Sequence, residues 1–182
     1  RHAHVGDGGA AGSVAVSDAT AAAGKQSLKF TDAAGLAQVY APFVTYPLEV
    51  DSGRWQAGFD VRLEAGAVFV YEWRDDPYQY NLGPRLSVDA EGRLSANGKP
   101  LAQLPHAEWV RIDLACGLGE QATGTYDLTL RLPGAEPEVF RQLPCAAKFK
   151  SLACVVVMSM AEKPTAFYLD RVKFRPADKS PQ

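Results

Sequence analysis

Three histidines and three cysteines are all this 182-residue chain holds of the side chains that most often bind transition metals, and their spacings match no zinc pattern. No apolar run approaches the roughly 20 residues that a membrane-spanning helix needs. The longest, Ala153–Cys154–Val155–Val156–Val157–Met158, reads as a buried strand. Neither sign of charge is in excess. Nineteen Lys and Arg against 21 Asp and Glu give a formal net charge of −2, which offers no footprint for nucleic acid or an anionic membrane. A phosphate-binding glycine loop and a nucleophile–base pair are both missing. So is any convincing amphipathic helix, since the alanine-rich residues 18–24 are too few and read as a loop. The chain opens on Arg1 without a signal peptide, as a mature or excised fragment would.

Period-two alternation is what the chain does have. Trp55, Ala57, Phe59, Val61 and Leu63 alternate with Gln56, Gly58, Asp60 and Arg62; Val110, Ile112 and Leu114 alternate with Arg111 and Asp113; Tyr126, Leu128, Leu130 and Leu132 alternate with Asp127, Thr129 and Arg131. One dry face and one wetter face mark antiparallel strands. Asn97–Gly98 is a two-residue hairpin signal, and Asp89–Ala90–Glu91–Gly92 and Pro133–Gly134 are turns. About eleven or twelve short strands separated by loops of uneven length predict an all-β fold, an antiparallel two-sheet β-sandwich of jelly-roll type rather than a regular barrel. The domain is expected over residues 13–175. Residues 1–12 read as a linker or the tail of a preceding domain, and the proline-punctuated residues 176–182 as a C-terminal tail.

Two features need partners. If residues 108–115, 125–132 and 138–143 form a meander, Cys116 and Cys145 emerge at the same end of one sheet. A disulfide between them is then feasible and would imply export; the alternative is two separate thiols at loop edges. Cys154 reads as an inert buried thiol. Asp170, in Tyr168–Leu169–Asp170–Arg171–Val172–Lys173–Phe174, shares the parity of Tyr168, Val172 and Phe174 and so should face an apolar layer. A carboxylate there must meet a cation, an arginine or several N–H groups, unless a bulge turns it outward.

The opening Val16–Ser17–Asp18–Ala19–Thr20–Ala21–Ala22–Ala23–Gly24–Lys25–Gln26–Ser27–Leu28–Lys29–Phe30 resembles that of many bacterial carbohydrate-active jelly rolls, and 166–174 is similar to their closing strand. Asn97–Gly98, Trp109–Val110 and Tyr126–Asp127–Leu128–Thr129–Leu130 look like the interior of concanavalin A-like, laminin-G-type domains appended to polysaccharide-active proteins. The likeness spans about residues 13–175. It implies a structural calcium, with Asp170 similar to the ligand on the closing strand and Asp18 a partner by position. Calcium wants six to eight oxygens, so Asp32 or backbone carbonyls would have to contribute.

Glu49–Val50–Asp51 opens like a jelly-roll glucanase Glu-x-Asp-x-x-Glu motif, but position 54 is Arg54, so one carboxylate of the double-displacement pair is missing. The strand motifs of jelly-roll polysaccharide lyases are absent too, so the chain reads as non-catalytic. The candidate ligand site is Glu72, Trp73, Arg74, Tyr78 and Tyr80 with Arg85 as a further donor. Flat aromatic rings stack on sugar C–H edges, and Arg and Glu hydrogen-bond hydroxyls; arginine also suits an acidic glycan. Tyr71 and Trp73 share the parity of Phe69, however, and fit a core equally well. Tyr40 and Tyr46 are expected on a second rim. The reading is a non-catalytic carbohydrate-binding-like module of a larger secreted, periplasmic or cell-surface polysaccharide-processing protein, with a glycan and a neighbouring domain as partners and no nucleic acid or membrane span. The alternatives are a structural spacer packed on a catalytic domain, or a diverged jelly-roll glycoside hydrolase or polysaccharide lyase.

Overall fold

The alternating segments pair side by side, because each can bury its dry face only against another sheet. The computed structural model describes residues 2–7 and 12–177. The first sheet runs β1 (His4–Gly6), β4 (Phe43–Val50), β13 (Leu152–Ser159), β6 (Phe69–Arg74), β7 (Leu82–Val88), β8 (Arg93–Ala96) and β9 (Lys99–Gln103). The second runs β12 (Glu138–Pro144), β11 (Thr125–Arg131), β10 (Trp109–Leu118), β5 (Gly53–Leu63), β14 (Thr165–Pro176), β3 (Ser27–Asp32) and β2 (Ser13–Ser17). Every pairing between these strands is antiparallel. The one helical element among the described residues is a 3-10 turn at Gly119–Gln121.

Alternation places the core. Phe59, Val61 and Leu63 of β5, Val110, Ile112 and Leu114 of β10, and Tyr126, Leu128 and Leu130 of β11 meet Phe69, Tyr71 and Trp73 of β6, Leu86 and Val88 of β7, and Val155 and Val157 of β13. The Asn97–Gly98 turn joins Ala96 to Lys99 with φ of 46° and 83°, the positive pair that a two-residue hairpin turn matched to strand twist requires. Asn97 also braces the sandwich. Its Oδ1 accepts from the Arg85 N–H at 3.0 Å and from the Tyr126 hydroxyl at 3.0 Å, tying β7 to β11 across the core.

Two expectations are corrected by the strand register. His4–Gly6, expected in a linker, pairs with Phe43–Thr45 as the edge strand β1. Pro176, expected in the tail, still pairs with Trp55; of the two segments, residues 1, 8–11 and 178–182 lie outside the described residues. The second correction concerns Asp170. A β-bulge between Asp170 and Lys173, with Arg171 at φ 46°, breaks the parity of the closing strand. Before the bulge the core-facing residues are Phe167 and Leu169, and after it Phe174 packs on the core. Asp170 therefore lies on the outer face with Tyr168. Its Oδ2 accepts the N–H groups of Ala22 at 2.8 Å and Ala23 at 2.9 Å, and its Oδ1 accepts that of Arg171 at 2.6 Å.

Three N–H hydrogens thus point at the oxygens that a calcium ion would need, and Asp18 is exposed. The bulge instead turns Arg171 back over Asp60, whose side chain is 2% exposed; the guanidinium grips both carboxylate oxygens, one of them at 2.8 Å.

Candidate functional site

The charged residues of β6 point away from the core, because Phe69, Tyr71 and Trp73 already take the inner face. Glu72 and Arg74 thus land on the outer face of the first sheet, where register sets Arg85 of β7 opposite Glu72. Glu72, 6% exposed, accepts from Arg74 Nη2 at 2.6 Å and Nε at 2.9 Å through one oxygen, and from Arg85 Nε at 2.9 Å through the other. One buried carboxylate thus stands between two guanidiniums. Arg74 also lies over the Tyr80 ring, 3.9 Å from its centroid, a cation–π contact.

These groups sit at one end of a cleft of ≈ 730 Å³ that crosses the sheet. Its floor is apolar: Cys154, Val156 and Met158 are buried, with Phe43 and Met160 packed beside them. Tyr40, Tyr78 and Tyr80 form the rim, Tyr78 with 87% of its surface open to solvent. His4 closes the far end, its ring tilted against Phe43 at 5.9 Å. The loop carrying Tyr78 is shaped by its own acids. Asp76 accepts the N–H groups of Tyr78 and Gln79, which hold its carboxyl below the usual range, and Asp75 accepts the N–H of Asn81. Neither Asp lines the cleft, whose carboxylate and guanidiniums are Glu72, Arg74 and Arg85, although the Asp76 charge acts on the Cys154 thiol of its floor.

The structure brings Glu72, Arg74, Tyr78, Tyr80 and Arg85 to this one cleft. Trp73 is the exception and the correction. It is 0% exposed in the inter-sheet core, with its indole N–H donating to the Tyr71 hydroxyl at 2.9 Å, so it can touch no ligand. Tyr40, expected on a second rim, lies on the same one, whereas Tyr46 packs against the core. The sequence reading missed His4, Phe43, Val156, Met158 and Met160. One signal pointed to Val156 and Met158: β13 is apolar on both faces, so its outer face had to be covered or lie in a cleft.

The strand carrying Arg85 is supported from beneath. Ala146 donates its N–H to Leu82 at 2.8 Å, and the Phe149 ring fills the space a side chain at Gly83 would need, its nearest atom 2.4 Å from where a Cβ would sit. A second groove of ≈ 650 Å³ on the outer face of the other sheet holds Arg111, Arg131 and Arg175. There Arg111 and Arg131 both pair with Asp113, and nearby Arg54 pairs with Asp127.

No family model matches the chain, and no curated protein is similar to it in sequence. Solved structures are similar in fold. An endo-β-1,4-glucuronan lyase from the fungus Trichoderma reesei aligns over 96% of this chain and 90% of its own, with a TM-score of 0.69 at 12% identity. The PL-14 alginate lyase of Aplysia kurodai aligns over 90% and 87%, with a TM-score of 0.62 at 9% identity. Peanut lectin aligns over 97% and 100%, with a TM-score of 0.55 at 9% identity. The shared fold is an antiparallel two-sheet β-sandwich of jelly-roll type. At these identities the likeness extends to this jelly-roll architecture alone, and no helix of the described residues is long and apolar enough to cross a membrane.

Proposed function

We propose that this jelly roll is a carbohydrate-binding module that holds an acidic glycan in the cleft over β13, β6 and β7. The observation carrying the reading is Glu72 between Arg74 and Arg85, two guanidiniums to one carboxylate on the cleft lining, beside exposed tyrosine rings. A carboxylate or sulfate adds a second negative charge and accepts the planar N–H pairs of arginine. Tyr78 and Tyr80 offer faces for sugar C–H edges, and Val156 and Met158 give a floor that excludes water. The cleft volume falls in the ordinary range for small-ligand sites.

The module would serve a larger exported polysaccharide-processing protein, with a neighbouring domain supplying any chemistry. Support for that setting is the shared fold with a glucuronan lyase and an alginate lyase. The test is calorimetry with oligoglucuronate, oligoalginate and a neutral β-glucan oligosaccharide. An acidic oligosaccharide should bind, more weakly as salt rises, and Arg85→Gln and Tyr80→Ala should each weaken it about tenfold. Binding of neither acidic ligand, or full affinity in both variants, would overturn the reading.

A further inference from the structure

We propose that Cys116 and Cys145 form an oxidisable pair, a site of covalent cross-linking between β10 and the segment that follows β12. Register puts them at the same end of the sheet, on either side of β11. Cys116 lies opposite Tyr126, and Thr125 lies opposite Pro144. The chain then turns in across the end of the sheet, with Cys145 donating its N–H to Gly124 at 2.9 Å. Cys145 packs against the core cluster that includes Cys116, and each thiol is the largest influence on the acidity of the other. Cys145 and nearby Arg54 push the Cys116 thiol down, while Cys116 and burial push Cys145 up. Of the two, Cys116 is the thiol that ionises more readily.

Both sulfurs are free thiols in the structure, and Cys145 is the one with solvent access. The oxidant is a small-molecule disulfide. Cys145 passes its proton to Cys116 and attacks one sulfur of that disulfide, whose other sulfur leaves as a thiolate. Cys116 then loses its proton to water and attacks the Cys145 sulfur, releasing the second thiolate. Two protein thiols are oxidised to one disulfide, and the small molecule is reduced to two thiols. The third cysteine takes no part, because Cys154 lies on the cleft floor of the other sheet.

The bond would pin the segment beneath β7. Ala146 and Phe149, which support the Arg85 strand, follow Cys145 directly. The cross-link is independent of the glycan reading and is tested without it. The full chain, purified reduced, is incubated with oxidised glutathione, denatured, alkylated and mapped by mass spectrometry. The expected result is one alkylated cysteine, Cys154, and one linked peptide pair carrying Cys116 and Cys145. Closing a loop of this length should also raise Tm by roughly 5–10 °C over the reduced protein. Cys154→Ser should cross-link as before, and Cys145→Ser should show neither link nor Tm rise. Three alkylated thiols after oxidation, or a glutathione adduct that persists on Cys145, would overturn the proposal. The thiol count on the unaltered chain decides it even if a variant fails to fold.

Discussion

Glu72→Gln separates the two jobs that the central carboxylate performs. Glu72 receives three charge-assisted hydrogen bonds from Arg74 and Arg85, and its side chain is 6% exposed. Glutamine keeps the shape but has one acceptor oxygen, and its NH2 group must face a guanidinium donor. Breaking a buried ion pair from one side costs about 3–5 kcal/mol. The Arg85 side chain is 31% exposed and can turn to water, so the cost here should be about 2–4 kcal/mol. For a chain of this size that lowers Tm by roughly 5–12 °C.

The same change frees both arginines, and a ligand carboxylate no longer competes with Glu72. An acidic oligosaccharide should therefore raise the Tm of Glu72→Gln more than that of the unaltered protein, and bind it more tightly at low salt. Scanning calorimetry with and without oligoglucuronate reads both effects. A Tm change under 1 °C would refute the structural role of Glu72. An equal ligand-induced shift in the two proteins would refute its competition for the arginines.

Two other substitutions test the corrected positions. Trp73→Ala should cost about 3–5 kcal/mol in urea unfolding, as loss of a fully buried indole does, and Trp73→Phe should bind ligand normally; weak binding by a well-folded Trp73→Phe would return this residue to the site. Asp170→Asn removes an acceptor from the N–H groups of Ala22, Ala23 and Arg171 and should destabilise by about 1–3 kcal/mol, whereas added calcium or a chelator should move the Tm of the unaltered chain by less than 1 °C. A calcium-dependent rise of several degrees would refute the assignment of those oxygens to N–H donors.

Strands with one dry and one wet face were legible because period-two alternation is a direct image of that environment. Trp55–Leu63 and the strands around Ile112 and Leu128 fall where their pattern predicts. Glu72, Arg74 and Arg85 were legible as a polar set for the same reason, on the wet side of strands whose other side is core. Trp73 was misplaced by its nearness to a tyrosine-rich loop, although its parity with Phe69 already tied it to the interior. The environment of Asp170 was hidden, since nothing in the apolar pattern marks the bulge that follows it. His4 and Phe43 could not be found from sequence. They reach the cleft only because β4 lies beside β13, a pairing that joins residues more than 100 positions apart, and β1 lies beside β4.

The tie between Asn97 and Tyr126 gives the molecule a lever. Arg85, which faces the cleft, has its backbone N–H held by a turn amide and its carbonyl by a phenol that grows from the opposite sheet. Small changes at Tyr126, whose ring lies in the core behind the recognition face, would be transmitted as a shift in where that guanidinium points. The selectivity of such a cleft can therefore be retuned from behind, by substitutions that never meet what it binds.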